Sequence, residues 1–361
     1  MWKQWRNQMP INKIRKDIDS LDSKIVDLLN KRAQKILEIG KLKNRQKKSI
    51  YAPAREKEIL TKIARENKGP LNNESLSAIY REVMSASLNL EKPIVIAYMG
   101  PKASFSNLAA LKKFGASVAY LPCNNISDVF LEVEKDKADY GVIPIENSIE
   151  GAISYALDML VDSDLKICSQ ILLDIEHNLL DNGPKKNIKR IYANAQIFGQ
   201  CRIWLESNLP KADLIEVSSS TRAAQIASKE RNSACIASIL AAEEYGLRVI
   251  ARGIEDSPHN ITRFLVIGKY QAEPTGSDKT SIMFSVKDKV GALHDMLVPF
   301  KKYHINLTKI ESRPSKRRAW DYFFFVDLLG HVQTLKIKKA LNELEDKCKF
   351  LKVLGSYPMT E

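Results

Sequence analysis

Arg32 and Lys43 are placed where cations are costly. Between residues 11 and 43, Ile14, Ile18, Leu21, Ile25, Leu28, Ile36, Ile39 and Leu42 recur at helical spacing. Arg32 follows Leu28 by one turn, on that stripe. Lys43 comes about 20° further round an ideal helix and shares the face. A cation on a buried stripe is unfavourable unless an anion meets it. These two stand about 16 Å apart along the axis, a span that two long side chains can close across a ligand. Arg15 flanks the same stripe but lies about 25 Å of axis from Arg32. It would reach such a ligand only from an antiparallel partner chain. Arg55-Glu56 lie on a second helical stretch, and Ser87 and Glu91 share one face of a third. The chemistry implied is recognition of a small anion by converging cations.

Two other segments carry uncharged hydrogen-bonding side chains against apolar runs. They are Asn260-Ile261-Thr262-Arg263-Phe264 and Gly141-Val142-Ile143-Pro144-Ile145-Glu146-Asn147-Ser148. Gly100 and Gly115 are isolated, so no phosphate-cradling or dinucleotide loop is expected, and no cofactor or metal. Five cysteines without a CxxC pair argue against a zinc site or a disulfide framework, and for a reducing, cytoplasmic location.

These residues need elements to hold them. Helices are expected over about 11–43, 54–66 and 73–90, an all-helical module with a turn at 46–53. At Pro93 the period changes. Strands are expected at 94–98, 118–121, 140–143, 165–172, 190–192, 234–236, 249–251 and 264–267. Helices are expected at 106–114, 126–135, 151–160, 196–207, 221–227 and 238–245, an α/β alternation. Residues 271–279 read as a linker. Beyond it the order strand, helix, strand, strand, helix, strand predicts a ferredoxin-like βαββαβ unit. The expected division is 8–92, 94–270 and 280–361.

At 361 residues the chain exceeds one ordinary core. Its 44 % hydrophobic and 27 % charged content is that of a globular protein, and it has no apolar run long enough for a membrane span. Residues 1–92 carry 21 Lys and Arg against 11 Asp and Glu, so +10 of the net +13 resides there. That charge suits nucleic acid or a small polyanion. Nucleic acid is disfavoured, because phosphate contacts need exposed cations rather than ones on a buried stripe.

The first region resembles the all-helical chorismate mutases. The resemblance rests on Arg15, Leu21-Asp22, Arg32, Gly40-Lys41-Leu42-Lys43, Arg55-Glu56 and Ser87 with Glu91. It implies two intertwined chains, at least a homodimer, with Arg15, Arg32 and Arg55 on the two carboxylates of chorismate. Lys43 and a protonated Glu91 would meet the ether oxygen, and Glu56 the ring hydroxyl. Mutase activity is then expected to fall as pH rises and that carboxyl ionises. The middle region resembles prephenate dehydratases, through Tyr98 to Ser106, Pro144 to Ser148 with Gly151, Gln200-Cys201, Ser219-Ser220-Thr221 and Asn260 to Phe264. Ser104 stands where Thr is usual, and Asn194 where His is common. The resemblance implies two lobes like those of periplasmic binding proteins, with the substrate between them. Thr262 would help the ring hydroxyl leave. Ser104, Asn147, Ser148, Gln200, Thr221, Arg263 and Phe264 would line the cleft. The last region resembles the ACT regulatory domain through Gly291-Ala292-Leu293-His294 and Glu311-Ser312-Arg313-Pro314, which implies phenylalanine bound as a feedback inhibitor. An arogenate dehydratase and a non-catalytic amino-acid sensor remain as alternatives.

Overall fold

A computed structural model describes residues 2–46, 50–183, 188–286, 290–315 and 322–359. Three helices come first: α1 (Trp2–Gln46), α2 (Pro53–Glu66) and α3 (Asn73–Glu91). Pro53 opens α2, where its missing N–H costs nothing. Asn72 caps α3 by accepting from the Ser75 amide at 2.7 Å. Among the described residues, α1 packs on α3 through its C-terminal half. The N-terminal half of its apolar stripe was expected to be buried. Ile14, Ile18, Leu21, Ile25 and Leu28 are instead 49–63 % exposed, because no other element among the described residues covers them.

Next comes a two-lobed α/β unit. The first lobe holds β1 (Val95–Met99), α4 (Phe105–Phe114), β2 (Ala119–Cys123), α5 (Ile126–Glu134), β3 (Tyr140–Asn147), β4 (Gly151–Ala152), α6 (Ser154–Asp162) and β5 (Lys166–Asp174). The second holds β6 (Asn178–Asp181), β7 (Arg190–Ala193), α7 (Ala195–Gln200), α8 (Arg202–Asn208), β8 (Asp213–Glu216), α9 (Ser220–Ala227), β9 (Ser233–Ala237), α10 (Ile239–Tyr245) and β10 (Arg248–Ala251). The chain then returns to the first lobe as β11 (Ile261–Gly268). The sheets run β2-β1-β3-β11-β5, with β4 beside β3, and β10-β6-β9-β7-β8. The chain crosses between lobes twice, after β5 and before β11, and the Ile175 amide bonds the Asn260 carbonyl at 2.8 Å where the crossings meet.

β11 lies antiparallel between β3 and β5, so its side chains alternate between two layers. Phe264 and Val266 enter the core beneath α4, with Tyr51, Phe114 and Tyr140. Leu265 and Ile267 enter a second core with α5 and α6. That second core continues into Met283, Phe323, Phe325, Leu354 and Tyr357 of the last module.

The last module is β12 (Asp278–Ser285), α11 (Ala292–Lys302), β13 (Leu307–Pro314), β14 (Tyr322–Leu329), α12 (Leu335–Glu345) and β15 (Phe350–Pro358). Its strand order, β13-β14-β12-β15, is that of the expected βαββαβ unit. β15 docks on β5 so closely that a Cβ on Gly355 would lie 2.3 Å from the Ile167 carbonyl oxygen. β12 starts at Asp278 and claims the end of the expected linker.

The sequence pattern missed β4, β6 and β8, each four residues or fewer. It also joined α7 and α8, which Cys201 separates with φ −117° and ψ 14°.

Candidate functional site

A cavity of about 540 Å³ lies among α1, α2, α3 and the end of α4. Arg32, Lys43, Arg55, Glu56, Ser87 and Glu91 all line it. The Arg32 guanidinium donates to Ser87 Oγ, and that hydroxyl donates to the Val83 carbonyl at 2.7 Å. Burial lowers the Arg32 pKa, with Tyr80 opposing and Arg55 adding to it. This is a charge that an incoming carboxylate would stabilise. Lys43 Nζ lies 3.1 Å from the Glu91 carboxylate and donates to the Ile50 carbonyl at 2.9 Å. Glu91 fits because residue 40 is Gly: a Cβ there would stand 3.3 Å from Glu91 Cγ. Arg55 pairs with Glu58 at 2.6 Å on the exposed rim. Arg15 lies on the exposed part of α1, outside the residues lining this cavity. Two lining residues that carried no sequence signal are Tyr80 and Lys113. Lys113 comes from α4 and pairs with Glu56 at 3.0 Å.

A second polar cluster gathers where the lobes meet. Asn147, at the end of β3, donates from Nδ2 to Thr262 Oγ1 at 2.9 Å and to Asn260 Oδ1 at 2.7 Å. Its Oδ1 accepts from the Ile149 and Glu150 amides at 2.9 and 3.2 Å, which fixes which way the amide faces. Asn260 Nδ2 donates to Gln200 Oε1 at 3.1 Å, and Gln200 Nε2 donates to Glu150 across the lobes at 2.8 Å. The same Oε1 lies 2.7 Å from His177 Nε2, so that nitrogen carries the proton. Burial lowers the His177 pKa, while the Gln200 bond and Glu255 oppose it, and the ring stays neutral. Ser148 Oγ donates to the His259 carbonyl at 2.8 Å and accepts from the Ile261 amide at 2.9 Å, clamping β11 to the β3 turn. Asn260, Glu150 and His177 complete the cluster beyond the expected residues.

Several expected contacts lie elsewhere. Phe264 is 2 % exposed inside the core. Arg263 points to the opposite face of β11 from Thr262, as strand alternation requires. It bonds Glu146 at 3.0 Å, Asp327 at 2.7 Å and the Tyr357 hydroxyl at 2.8 Å. Burial alone would lower its pKa, but Tyr357, Asp327 and Glu146 hold it above the ordinary arginine value. Lys309 and Arg263 in turn hold the Glu146 carboxyl below its usual range despite burial. Ser104 caps α4, accepting from the Asn107 amide at 3.3 Å, and Asn194 caps α7. Thr221 is 1 % exposed, at the start of α9. Burial pushes the Cys123 thiol up to about 11 and those of Cys168 and Cys201 up to about 12. None of the three is a thiolate nucleophile at neutral pH.

In the C-terminal module Gly291 caps α11 with φ 79°, a left-handed conformation that favours glycine. Ala292 is buried, Leu293 packs on the module core, and the His294 side chain is 81 % exposed. β12 and β13 both run antiparallel to β14, so residues 291–294 and 311–314 stand at the same end of the sheet. Glu311 is half-buried; Ser312 and Pro314 are exposed. Arg313 turns to the middle unit, bonding Ser154 Oγ and the Asp158 carboxylate of α6, the latter at 3.2 Å.

Comparison with known proteins matches each part. The family model for chorismate mutase type II matches residues 14–92, that for prephenate dehydratase 96–272, and that for the ACT domain 280–346. The bifunctional chorismate mutase/prephenate dehydratase of Aquifex aeolicus is 51 % identical over 353 residues, covering 96 % of this chain and 98 % of its own. That of Stutzerimonas stutzeri is 45 % identical and covers 96 % of both chains. The solved prephenate dehydratase of Arthrobacter aurescens in complex with L-Phe matches with a TM-score of 0.69 at 32 % identity, over 74 % of this chain and 90 % of that one.

Proposed function

This chain belongs to the bifunctional chorismate mutase/prephenate dehydratase family, and we propose that it runs the two reactions in the two sites described above. Chorismate rearranges to prephenate in the helical cavity. Prephenate then loses carbon dioxide and water at the Asn147–Thr262 cluster, giving phenylpyruvate. Phenylalanine bound at residues 291–294 and 311–314 restrains the second step.

In the mutase site Arg32 and Arg55 take the substrate carboxylates, and Arg15 of a second copy completes the set. Lys43 and Glu91 face the ether oxygen, where negative charge develops as the C–O bond breaks. Fixed charge at that point and selection of the reactive conformer supply the rate. Ser87 keeps Arg32 aimed. The exposed stripe of α1 supports a homodimer, since a second copy would both cover it and deliver Arg15.

The observation that carries the dehydratase reading is the polarity of the Asn147–Thr262 bond. Asn147 Oδ1 is occupied by two backbone amides, so its Nδ2 faces Thr262 and the Thr262 oxygen accepts. The Thr262 hydroxyl proton is then free to donate to the ring hydroxyl as it departs. The C–COO bond breaks and releases carbon dioxide, its electron pair enters the ring to make it aromatic as the C–O bond breaks, and the hydroxyl leaves as water with a proton that passes through Thr262 and is replaced from solvent. Arg263 braces β11 against the C-terminal module instead of binding substrate. Its bonds with Asp327 and Glu146 support a route by which phenylalanine reaches Thr262. Free thiols at Cys123, Cys168, Cys201, Cys235 and Cys348 fit a reducing cytoplasm.

The deciding experiment supplies the purified chain with chorismate, then with prephenate, and follows phenylpyruvate with and without phenylalanine. Thr262→Ala should lose prephenate dehydration by at least about a hundredfold, the general-acid contribution, while still consuming chorismate. Loss of both activities would contradict two separate sites. Turnover of neither substrate by the parent chain would overturn the reading.

A further inference from the structure

Glu56 takes its cation from outside its own module. Within the helical module three other lining cations already have partners: Arg32 bonds Ser87, Lys43 pairs with Glu91, and Arg55 with Glu58. The Glu56 carboxylate instead lies 3.0 Å from Lys113 Nζ, near the C-terminal end of the first helix of the dehydratase unit. Both side chains are largely withdrawn from water, at 15 % and 18 % exposure, and both line the mutase cavity.

Lys113 is held where it stands. Its ammonium lies 5.8 Å above the Tyr51 ring, and Tyr51 is wedged against Phe114 at 5.0 Å and Tyr140 at 5.2 Å. The turn after α4 is pressed onto α3. A Cβ at Gly115, whose φ is +71°, would lie 2.7 Å from Ser85 Cβ. The Ala116 amide donates to Glu82 at 2.9 Å, and the Ser117 amide to Ser85 Oγ at 3.1 Å. The seam therefore fixes the lysine against the mutase pocket as firmly as a residue of the pocket's own helices.

We propose that Lys113 is a positioning residue of the mutase reaction, supplied by the dehydratase unit, which holds the Glu56 carboxylate aimed at the substrate's ring hydroxyl. The inference rests on the helical cavity being the mutase site. A cation that faces a largely buried carboxylate fixes where it points, and so where it can accept a hydroxyl hydrogen bond. Without Lys113, Glu56 would turn to Arg32 or Arg55, the cations that the substrate's own carboxylates require.

The test is a double-mutant cycle in the full chain, read as kcat/KM for chorismate. Lys113→Met should lose about tenfold, a size typical of one buried charged partner, and Lys113→Arg should keep most of the activity. In a Glu56→Gln background the same Lys113→Met change should cost less than about twofold, because its target is already gone. A Lys113→Met chain as active as the parent would overturn the proposal. So would an equal fold-loss with and without Glu56. If Lys113→Met misfolds, Lys113→Gln enters the same cycle. A parent chain that does not consume chorismate would sink the pocket reading itself, an outcome distinct from either.

Discussion

Arg32 and Lys43, which line one cavity, were legible in the sequence because a helix repeats on a fixed period and they stood out against an apolar stripe. Nothing comparable marked Lys113. In sequence it is one of two lysines closing a short helix, where cations commonly complement the helix dipole. Arg263 was visible as part of a motif, but its direction followed from strand alternation and from Asp327 and Tyr357, which are remote in sequence. His177 yields a prediction at this scale. It is neutral in the folded chain because burial lowers its pKa from 6.5, and it titrates normally when unfolded. The unfolded chain therefore binds more protons just below pH 6.5. The stability His177 contributes is complete above that pH and is lost as pH falls through it. The Tm should drop between pH 6.5 and 5, and drop less in His177→Asn. Equal slopes in both chains would clear His177 of that role.

Among elements, the long ones followed from periodicity alone: the three opening helices, the βαββαβ tail and most strands of the middle unit. β4, β6 and β8 are too short for a period of two to stand out, and their pairing comes from distant strands. β15 makes an element-scale prediction. Gly355 lies against the Ile167 backbone, so Gly355→Ala must push β15 away from β5. The cost should be about 1–3 kcal/mol, as for overpacking elsewhere. Calorimetry should show a lower Tm together with weaker inhibition of dehydration by phenylalanine. An unchanged Tm would mean that the two sheets are not held this closely in solution.

For the whole molecule, the proposed homodimer rests on α1. Its first half presents Ile14, Ile18, Leu21, Ile25 and Leu28 to solvent, a stripe that a second copy can cover. Ile18→Glu combined with Ile25→Glu should reduce the mass measured by sedimentation and abolish chorismate turnover, since Arg15 no longer reaches its neighbour. A double variant of unchanged mass would remove α1 from the interface. The change of period at Pro93 suggested where one unit gives way to the next, but the traffic across that point left no mark in the sequence. The α3–α4 seam bears on that traffic. Lys92 pairs with Asp139 at 2.7 Å, Glu82 and Ser85 hold the turn after α4, and Glu56 depends on Lys113. The ten residues of α4 then act as a rod about 15 Å long. One end lies beside Ser104 in the dehydratase and the other touches the mutase. The joint is thus not a neutral linker: a cut after residue 92 would take Lys113 from the mutase fragment, which should then run about tenfold slower than the same helices in the full chain.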